Sequence, residues 1–337
     1  MTLLARNEAD IIDAHLAFHL SAGVDFVVAI DNGSEDGTTE ILESYARDGH
    51  VDLTRDAGDL NQPEWVTRMA RRAATEFGAD WVINSDADEF WWPRGGSLKD
   101  VLAAVPARYG GVRGMWRHFA PRPDGEDFFA ERMTVRICNP GAENNSPYSP
   151  RFKTAHRADP EVTVPSGNHQ ALGQRLVPLP GWYPIDVLHF PIRSLRHFTE
   201  KYLRWWALLQ TQFSQAAYEA HRRGLMRQFY ESYVVDDEAL SRGLAHGTLA
   251  IDTRLRDALR GLRSEPRRPL TFADGTVDEG YLSELALLED GDPHVHAHRK
   301  AEDLETRLAA IEQRHSARIV NAVSKRAHQG FKATRAP

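Results

Sequence analysis

The chain has 337 residues, 42% of them hydrophobic, so it can bury one large core or two smaller ones. Its formal charge of −7, with acidic and basic residues interspersed, argues against a nucleic-acid partner. The single cysteine, Cys138, excludes an internal disulfide framework. No secretion signal is visible, and no apolar run reaches the roughly 18 residues of a membrane span. We therefore expect a cytoplasmic globular protein, a location compatible with peripheral contact at the inner face of the membrane.

Strands and helices are predicted to alternate over the first 80 residues. The predicted strands cover residues 2–5, 26–30 and 51–54, and the predicted helices lie at 9–20, around 41–45 and at 65–77. The run at 26–30 is apolar without alternation, which is typical of a strand buried on both faces of a parallel sheet. This order predicts βαβ units in a doubly wound α/β sheet, with a ligand crevice at the carboxyl ends of the strands.

An acidic segment follows the next predicted strand, Trp81-Val82-Ile83. Asp86 and Asp88 are one residue apart, and Glu89 adjoins them. In an extended backbone residues i and i+2 point the same way, so both aspartates can face one cavity. Such carboxylates repel each other unless a cation compensates them, and hard oxygen ligands suit Mg²⁺ or Mn²⁺ with a phosphate-bearing substrate. For an isolated Asp-x-Asp, a loop that caps the next helix is the commoner interpretation.

Three motifs occur in order along this first part of the chain. They are Arg6-Asn7-Glu8, then Ile30-Asp31-Asn32-Gly33-Ser34-Glu35-Asp36-Gly37-Thr38, then Asp86-Ala87-Asp88-Glu89-Phe90. Together they resemble the signatures of the glycosyltransferase family 2 superfamily, which has the GT-A fold. The Asp-Glu-Phe extension, with His189-Phe190 further on, is more similar to the family 92-like branch. The resemblance covers roughly residues 1–205.

The resemblance implies a reaction and its partners. A nucleotide-diphosphate sugar would donate the sugar to an acceptor hydroxyl with inversion, assisted by Mn²⁺ or Mg²⁺. The acceptor would be a carbohydrate or a lipid-linked molecule of the kind used in cell-envelope or exopolysaccharide synthesis. The identity of the sugar, the acceptor and the oligomeric state stay open.

Six residues are assigned to the nucleotide sugar, mostly by the resemblance: Arg6, Glu8, Asp31, Asn32, Asp86 and Arg193. Asp31 matches the acidic position that contacts the base or ribose, because a carboxylate can accept from a ring N–H or a sugar hydroxyl. Its alternative role is that of an Asx turn residue. Arg6 could approach the nucleotide or pair with Glu8 or Asp31.

The resemblance assigns the metal to Asp86, Asp88 and His189. Asp88 is expected to contact the ion directly, while Asp86 reaches it through water or binds the ribose. His189 ends a predicted strand at 185–190, and an imidazole there can supply a third ligand. The alternative for His189 is a structural histidine packed against Phe190.

The general base is predicted among the carboxylates downstream of the metal motif. Asp124 and Glu131 are the candidates, together with Glu126, because an inverting transfer needs a base within reach of the acceptor hydroxyl. None of them stands in the Glu-Asp pair that many family 2 enzymes carry. Solvated surface carboxylates are the alternative.

The chain is divided into three predicted parts. Residues 1–205 form the catalytic domain, with an acceptor side at about 120–190 that is expected to be irregular over 140–184. Residues 206–263 form a helical extension that continues a long helix predicted at 198–230. Residues 264–337 comprise a linker, a charged helix at 298–320 and a basic tail.

Two other functions are compatible with the sequence. A sugar-nucleotide nucleotidyltransferase can share the architecture and the metal pair, but it would usually carry a Gly-rich basic loop after the first strand. Residues 4–8, Leu-Ala-Arg-Asn-Glu, do not form that loop. A non-catalytic carbohydrate-binding or scaffold protein with the same fold is the third hypothesis, and absence of nucleotide binding would favour it.

Overall fold

The structure, a computed structural model, describes residues 1–59, 61–123, 125, 127–138, 148–209 and 212–273. Its strands are β1 (Thr2–Ala5), β2 (Val27–Asp31), β3 (Val51–Arg55), β4 (Trp81–Asp86), β5 (Glu89–Pro93), β6 (Gly111–His118), β7 (Val135–Ile137), β8 (Phe152–Arg157), β9 (Ile185–His189) and β10 (Leu249–Ile251). Its helices are α1 (Ile12–Ser21), α2 (Thr38–Arg47), α3 (Gln62–Thr75), α4 (Leu98–Ala103), α5 (Phe129–Arg132), α6 (Leu195–Leu209), α7 (Gln212–Arg222), α8 (Met226–Glu231), α9 (Asp237–Ala245) and α10 (Arg254–Ser264). One compact unit covers Met1–Leu288, and a second unit, Glu289–Pro337, lies outside the described residues.

An eight-stranded sheet organises the described residues, in the order β3-β2-β1-β4-β8-β6-β9-β5. The first four strands run parallel to one another. β8 is antiparallel to β4 and to β6, β6 is parallel to β9, and β5 is antiparallel to β9. The predicted α/β class, a doubly wound mixed sheet of the GT-A type, is confirmed by this arrangement.

The connection between β4 and β5 requires the sheet to curl. The two strands are four positions apart in the sheet, which is about 19 Å at the usual strand spacing. Only Ala87 and Asp88 join Asp86 to Glu89, and a chain of that length spans at most about 11 Å. The far edge of the sheet therefore bends back toward the end of β4, and this bend brings the polar ends of β5, β6 and β9 to the acidic segment.

Helices cover both faces of the parallel half of the sheet. Along β2, Val27 and Ala29 join the cluster that contains the apolar side of α1, while Val28 and Ile30 join the cluster that contains α3. Burial of each such aliphatic side chain contributes about 1.5–3 kcal/mol. Burial on both faces explains why the sequence of β2 is apolar without alternation.

Two predictions about the middle of the chain need correction. Within the segment 140–184, residues 148–151 and 158–184 contain no helix or strand, as predicted, but 152–157 form β8, which lies between β4 and β6 inside the sheet. Polar residues interrupt this strand's apolar pattern, and so its sequence resembles a loop. The long helix predicted at 198–230 is also interrupted: α7 ends before Gly224, whose φ of 69° lies in the left-handed region, and α8 starts two residues later.

Described residues between 206 and 273 contact the rest of the compact unit. β10 pairs antiparallel with β7, and three leucines of α10 belong to the main hydrophobic cluster. The predicted linker continues onto this core, since the backbone N–H groups of Leu270 and Phe272 donate to the carbonyls of Ser21 and Gly96. The predicted boundary at 205 stays a prediction, and the predicted charged helix and basic tail lie outside the described residues. No helix among the described residues is long and apolar enough to cross a membrane.

Candidate active site

The ends of four strands meet at the acidic segment. Asp86 is the last residue of β4, Asp88 lies in the turn, and Glu89 is the first residue of β5. Glu89 is in register with His189, the last residue of β9, and His189 is in register with His118, the last residue of β6. Residues in register on neighbouring strands project to the same face, so these side chains share one space.

Asp86 accepts hydrogen bonds from two side chains, one on strand β8 and one in the loop that follows it. Its Oδ2 lies 2.7 Å from Nζ of Lys153, and its Oδ1 accepts from Nδ2 of Asn168 at 3.0 Å. Asn168 follows Gly167 in a turn where both residues have positive φ, so the loop delivers the amide to the strand end. The Asp86 side chain stays 30% exposed, the most accessible of the three acids. Its predicted contact with the ribose or metal stays a prediction.

Glu89 is fully buried and bonded on both oxygens. Oε1 lies 2.8 Å from Nζ of Lys153 and accepts from Nε1 of Trp116 at 2.9 Å, while Oε2 accepts from the backbone N–H of Asp86 at 3.2 Å. Burial raises the pKa of Glu89 to about 8 against the attraction of the Lys153 charge, and the neighbouring Asp86 carboxylate acts in the same direction as burial. Glu89 is thus the acid of this cluster that takes up a proton most readily.

Asp88 is also buried but stays ionised. Burial alone would raise its pKa, yet the charges around it, above all that of Lys201, hold the pKa well below the usual range. Nζ of Lys201 lies 2.6 Å from Oδ2 of Asp88. Lys201 comes from α6. A cation that binds Asp88 must share or displace this lysine.

His189 faces Asp88 without bonding to it. Its Nε2 lies 3.8 Å from Oδ2 of Asp88, too far for a hydrogen bond, and its Nδ1 lies 3.0 Å from Nδ1 of His118. The ring stacks on Trp116 with centroids 4.2 Å apart and an interplanar angle of 10°. Burial holds the pKa of His189 well below its usual value despite the Asp88 charge, so the imidazole is neutral at pH 7.

These side chains fit a divalent cation. One ligand atom from each of Asp88, Glu89 and His189 lies within 4.8 Å of the other two, and all three residues are buried. Ligands about 2.1 Å from one ion can be up to about 4.2 Å apart, which accommodates the 3.8 Å between Asp88 and His189. Carboxylate oxygen and imidazole nitrogen are suitable donors for Mn²⁺. Asp86 is not in this group, and its predicted role as a metal ligand stays a prediction.

Arg193 and Glu8, both predicted to bind the donor, contact each other. The Arg193 guanidinium donates to Glu8 Oε2 at 2.5 Å and to Asp10 Oδ2 at 2.7 Å, and Arg193 is buried. Burial would lower its pKa, but the two carboxylates raise it far above the usual value. Nε2 of His197 lies 3.7 Å from the same Glu8 oxygen. This ion pair joins the end of β1 to the segment after β9, and the donor-binding role of both residues stays a prediction.

Asp31 and Asn32 are engaged by neighbouring loops. Asp31 accepts from the hydroxyls of Ser34 and Thr39, each at 2.5 Å, which corresponds to the turn role considered for it. Asn32 donates to the carbonyls of Asp56 and Gly58 and so ties the ends of β2 and β3 together. A carboxylate has about four acceptor sites, so a nucleotide contact by Asp31 is compatible with these bonds.

Arg6 lies beside this loop with its charge available. Its only hydrogen bond among the described residues is a long one, 3.5 Å to Oδ1 of Asn32. The alternative ion pair with Glu8 or Asp31 is not found in the described part of the chain. Burial lowers the pKa of Arg204, and repulsion by Arg6 lowers it further, so the two guanidinium groups lie near each other.

Only one of the two predicted base residues lies in the described part of the chain. Asp124 lies outside the described residues, as does Glu126. Glu131, on α5, is bonded by both carboxylate oxygens to the guanidinium of Arg260, the shorter distance being 2.5 Å. Arg260 lowers the pKa of Glu131 through this bond, which makes the carboxylate a weaker base. The assignment of either residue as the base stays a prediction.

The sequence analysis gave no role to four residues that build this site. Lys153 lies inside a segment predicted to be irregular, Glu89 adjoins the two aspartates without a predicted function, and Trp116 and His118 belong to none of the three motifs. One sequence signal could have pointed to Trp116 and His118: they are two residues apart on one strand, so their side chains project to the same face. The register that sets them beside His189 comes from pairing over about 70 residues and was not visible locally.

No protein-family model matches this chain, and no curated protein matches it. Among solved structures it is similar to a mannosyltransferase from Pyrobaculum calidifontis in complex with GDP-Man and Mn²⁺, with 26% identity over 33% of each chain and a TM-score of 0.26. It is also similar to S. aureus TarS, with 14% identity, a TM-score of 0.32 and coverage of 64% of this chain and 40% of that one. TarS in complex with UDP-GlcNAc aligns over 72% of each chain, with 14% identity and a TM-score of 0.31.

These likenesses are weak. The chain spans about a third of the mannosyltransferase and 40% of TarS in the first two alignments.

Proposed function

We propose that this chain is a glycosyltransferase that requires Mn²⁺ or Mg²⁺ and transfers a sugar from a nucleotide-diphosphate donor to an acceptor hydroxyl, with inversion. The motif resemblance over residues 1–205 supplies the reaction class. The observation that carries the proposal is the buried group of Asp88, Glu89 and His189, which fits a divalent cation at the end of the acidic segment.

The charges of the cluster support a cation and an anionic substrate. Three acids, Asp86, Asp88 and Glu89, face two buried ammonium groups, those of Lys153 and Lys201. Because burial raises the pKa of Glu89 to about 8, the ionised acids do not outnumber the two lysines at pH 7. A divalent cation would make the charge balance positive, as a diphosphate requires. A bound Mn²⁺ or Mg²⁺, held by Asp88, His189 and Glu89, would neutralise the charge that develops on the departing diphosphate.

The remaining residues bind and orient the substrates. Arg6 and Lys201 would contribute positive charge to the diphosphate, and Asp31 would accept a hydrogen bond from the base or ribose. The acceptor hydroxyl would give its proton to a carboxylate and then attack the anomeric carbon. Of the two predicted bases, Asp124 and Glu131, Glu131 is weakened as a base by its bond to Arg260. A carbohydrate or lipid-linked acceptor is part of the same proposal.

The test is titration calorimetry with UDP, GDP and TDP, with and without Mn²⁺. We expect one nucleotide to bind in a metal-dependent way, and we expect Asp88→Asn to abolish the metal dependence, because the variant loses a ligand charge. Asp52→Asn is the matched control: Asp52 is half-buried on β3 and pairs with Arg72 at 2.8 Å. If no nucleotide binds to the wild type under any condition, the transferase proposal is wrong and the scaffold hypothesis replaces it.

A further inference from the structure

We propose that His118 is a positioning residue that fixes the tautomer of His189, so that the lone pair of His189 Nε2 faces Asp88. The importance of this tautomer rests on the proposed metal-dependent function, whereas the hydrogen-bond pattern that sets it does not. Neither comparison nor motif gives His118 a role.

The tautomer follows from a chain of hydrogen bonds that starts at a carbonyl. The backbone oxygen of Ser149 lies 3.1 Å from Nε2 of His118. A carbonyl can only accept, so Nε2 of His118 carries the proton. His118 is 1% exposed, and a buried imidazole without a carboxylate partner is neutral because a buried unpaired charge is costly. Its Nδ1 is therefore an acceptor.

The second bond transmits this choice to His189. The two Nδ1 atoms are 3.0 Å apart, so one of them must donate. Since Nδ1 of His118 accepts, Nδ1 of His189 carries the proton, and Nε2 of the neutral His189 ring keeps its lone pair. That is the form in which an imidazole binds a metal ion.

The opposite assignment fails at the Ser149 end of the chain of hydrogen bonds. A proton on Nε2 of His189 would point toward Asp88 over 3.8 Å, too far for a hydrogen bond. Nδ1 of His118 would then have to donate, and its Nε2 lone pair would face the Ser149 oxygen, placing two acceptors 3.1 Å apart. In the favoured assignment, two acceptors face each other only at His189 Nε2 and Asp88 Oδ2, where a cation can bridge them.

Strand β6 provides a second constraint through Trp116. Trp116 and His118 are two residues apart on β6 and so project to the same face. The indole stacks on the His189 ring while its N–H donates to Glu89 at 2.9 Å. His118 therefore sets which nitrogen of His189 is protonated, and Trp116 sets the plane of the ring.

Partners of this kind strongly affect metal affinity. Loss of a hydrogen bond to a ligating histidine typically lowers metal affinity about 10–100-fold. Without His118, the Nδ1 proton of His189 has no acceptor, so the competing tautomer, which blocks Nε2, gains population.

The tautomer is tested directly by long-range ¹⁵N–¹H NMR correlation on the metal-free protein. The His189 signals are assigned by their loss in His189→Gln. We expect Nδ1 of His189 to be protonated and Nε2 to be bare in the wild type. In His118→Phe we expect the proton to redistribute toward Nε2. A wild-type spectrum with the proton on Nε2 would overturn the proposal, whatever the enzyme does.

Mn²⁺ affinity, measured by calorimetry, tests the consequence. We expect His118→Phe to weaken Mn²⁺ binding about 10–100-fold. His118→Asn keeps an acceptor near the Nδ1 position and should recover most of this affinity, which a merely structural role would not explain. His156→Phe is the matched control, because His156 is equally buried on β8 but lies beside Val82, toward the other end of β4.

The two proposals fail in different ways. If wild-type protein binds no Mn²⁺, the proposed metal-dependent function is wrong, while the NMR spectrum still decides the tautomer. If wild-type protein binds Mn²⁺ and His118→Phe binds it equally well, the positioning role of His118 is wrong and the proposed function stands.

Discussion

Two groups of polar residues at the same edge of the sheet differ in how fully their side chains are hydrogen-bonded within the chain. In the loop 31–38, Asp31 accepts from Ser34 and Thr39, and Asp36 accepts from the backbone and hydroxyl of Thr38. The second group is the one proposed to bind the metal; we call it the metal cluster and define it as Asp88, Glu89, His118 and His189. There, Oδ2 of Asp88 and Nε2 of His189 lie 3.8 Å apart and are not hydrogen-bonded to each other. The loop satisfies its carboxylates internally, whereas the metal cluster leaves this one pair of atoms unbonded to each other.

This difference in hydrogen bonding suggests that Asp31 mainly builds the fold, whereas Asp88 is available to a ligand. Asp31 has already gained its hydrogen bonds in the folded chain, so a nucleotide adds to an existing structure there. Asp88 is bonded to Lys201 and His189 to His118, but Oδ2 of Asp88 and Nε2 of His189 are not bonded to each other. A bound cation would add a contact to both atoms, and the free energy of that contact would be available for binding. The largest ligand-dependent effects are therefore expected at the metal cluster, and mainly effects on stability are expected in the loop.

The largest effect on stability is expected at the lysine beside the metal cluster. Lys153→Met leaves Glu89 and Asp86 without their buried counter-charge, and we expect the free energy of unfolding to fall by about 3–5 kcal/mol. Urea denaturation measures it. Lys99→Met is the control, because Lys99 forms an exposed ion pair with Asp25 and should cost about 1 kcal/mol or less. Equal losses in the two variants would contradict the buried ion-pair interpretation.

Asp31 is expected to give a smaller loss. Asp31→Asn weakens the bonds from Ser34 and Thr39, so the free energy of unfolding should fall by about 1–3 kcal/mol. Because we also propose a nucleotide contact, nucleotide affinity should fall in the same variant. Asp36→Asn makes a matched comparison: it disturbs similar bonds in the same loop, and it should lower stability alone. If both variants bind nucleotide as the wild type does, Asp31 only builds the loop.

A buried histidine outside the metal cluster, His156, makes the free energy of unfolding depend on pH. Burial lowers the pKa of His156 to about 4, whereas the unfolded chain titrates near about 6.5. Between these values the unfolded state binds more protons, so the stability that is fully present above pH 6.5 is lost as the pH falls toward 4. In His156→Phe the slope of unfolding free energy against pH should be flatter by up to about 1.4 kcal/mol per pH unit. An unchanged slope would mean that His156 is charged in the folded protein.

The smallest effect is expected at Glu131. Its carboxylate is bonded to Arg260, which lowers its pKa and makes it a poor base at neutral pH. We expect Glu131→Gln to reduce kcat far less than the roughly 10²-fold or greater loss that follows removal of a general base. A steady-state assay with the nucleotide sugar identified by calorimetry measures this. A loss of that size would instead establish Glu131 as the base.

The sequence alone determined the first half of the fold and the position of the acids. Local features predict the βαβ order: the apolar run at 26–30, the turn residues of the loop 31–38 and the helical spacing at 65–77. The motif resemblance assigned Asp88 and His189 to a metal, and each ends or follows a strand; their metal contact stays a prediction. These signals lie within a few residues and do not depend on distant partners.

Only the tertiary structure decided which residues surround those acids. Lys153 meets Asp86 across 67 positions, because β8 inserts beside β4. His118 meets His189 across 71 positions, because β6 pairs with β9 and the sheet curls back to the acidic segment. Strand pairing at such separations is set by the packing of the whole sheet. A lysine also interrupts the apolar pattern of a strand, so the sequence does not show that Lys153 lies in a buried strand. The protonation of His189 depends on this long-range pairing and so could not be derived from its local sequence.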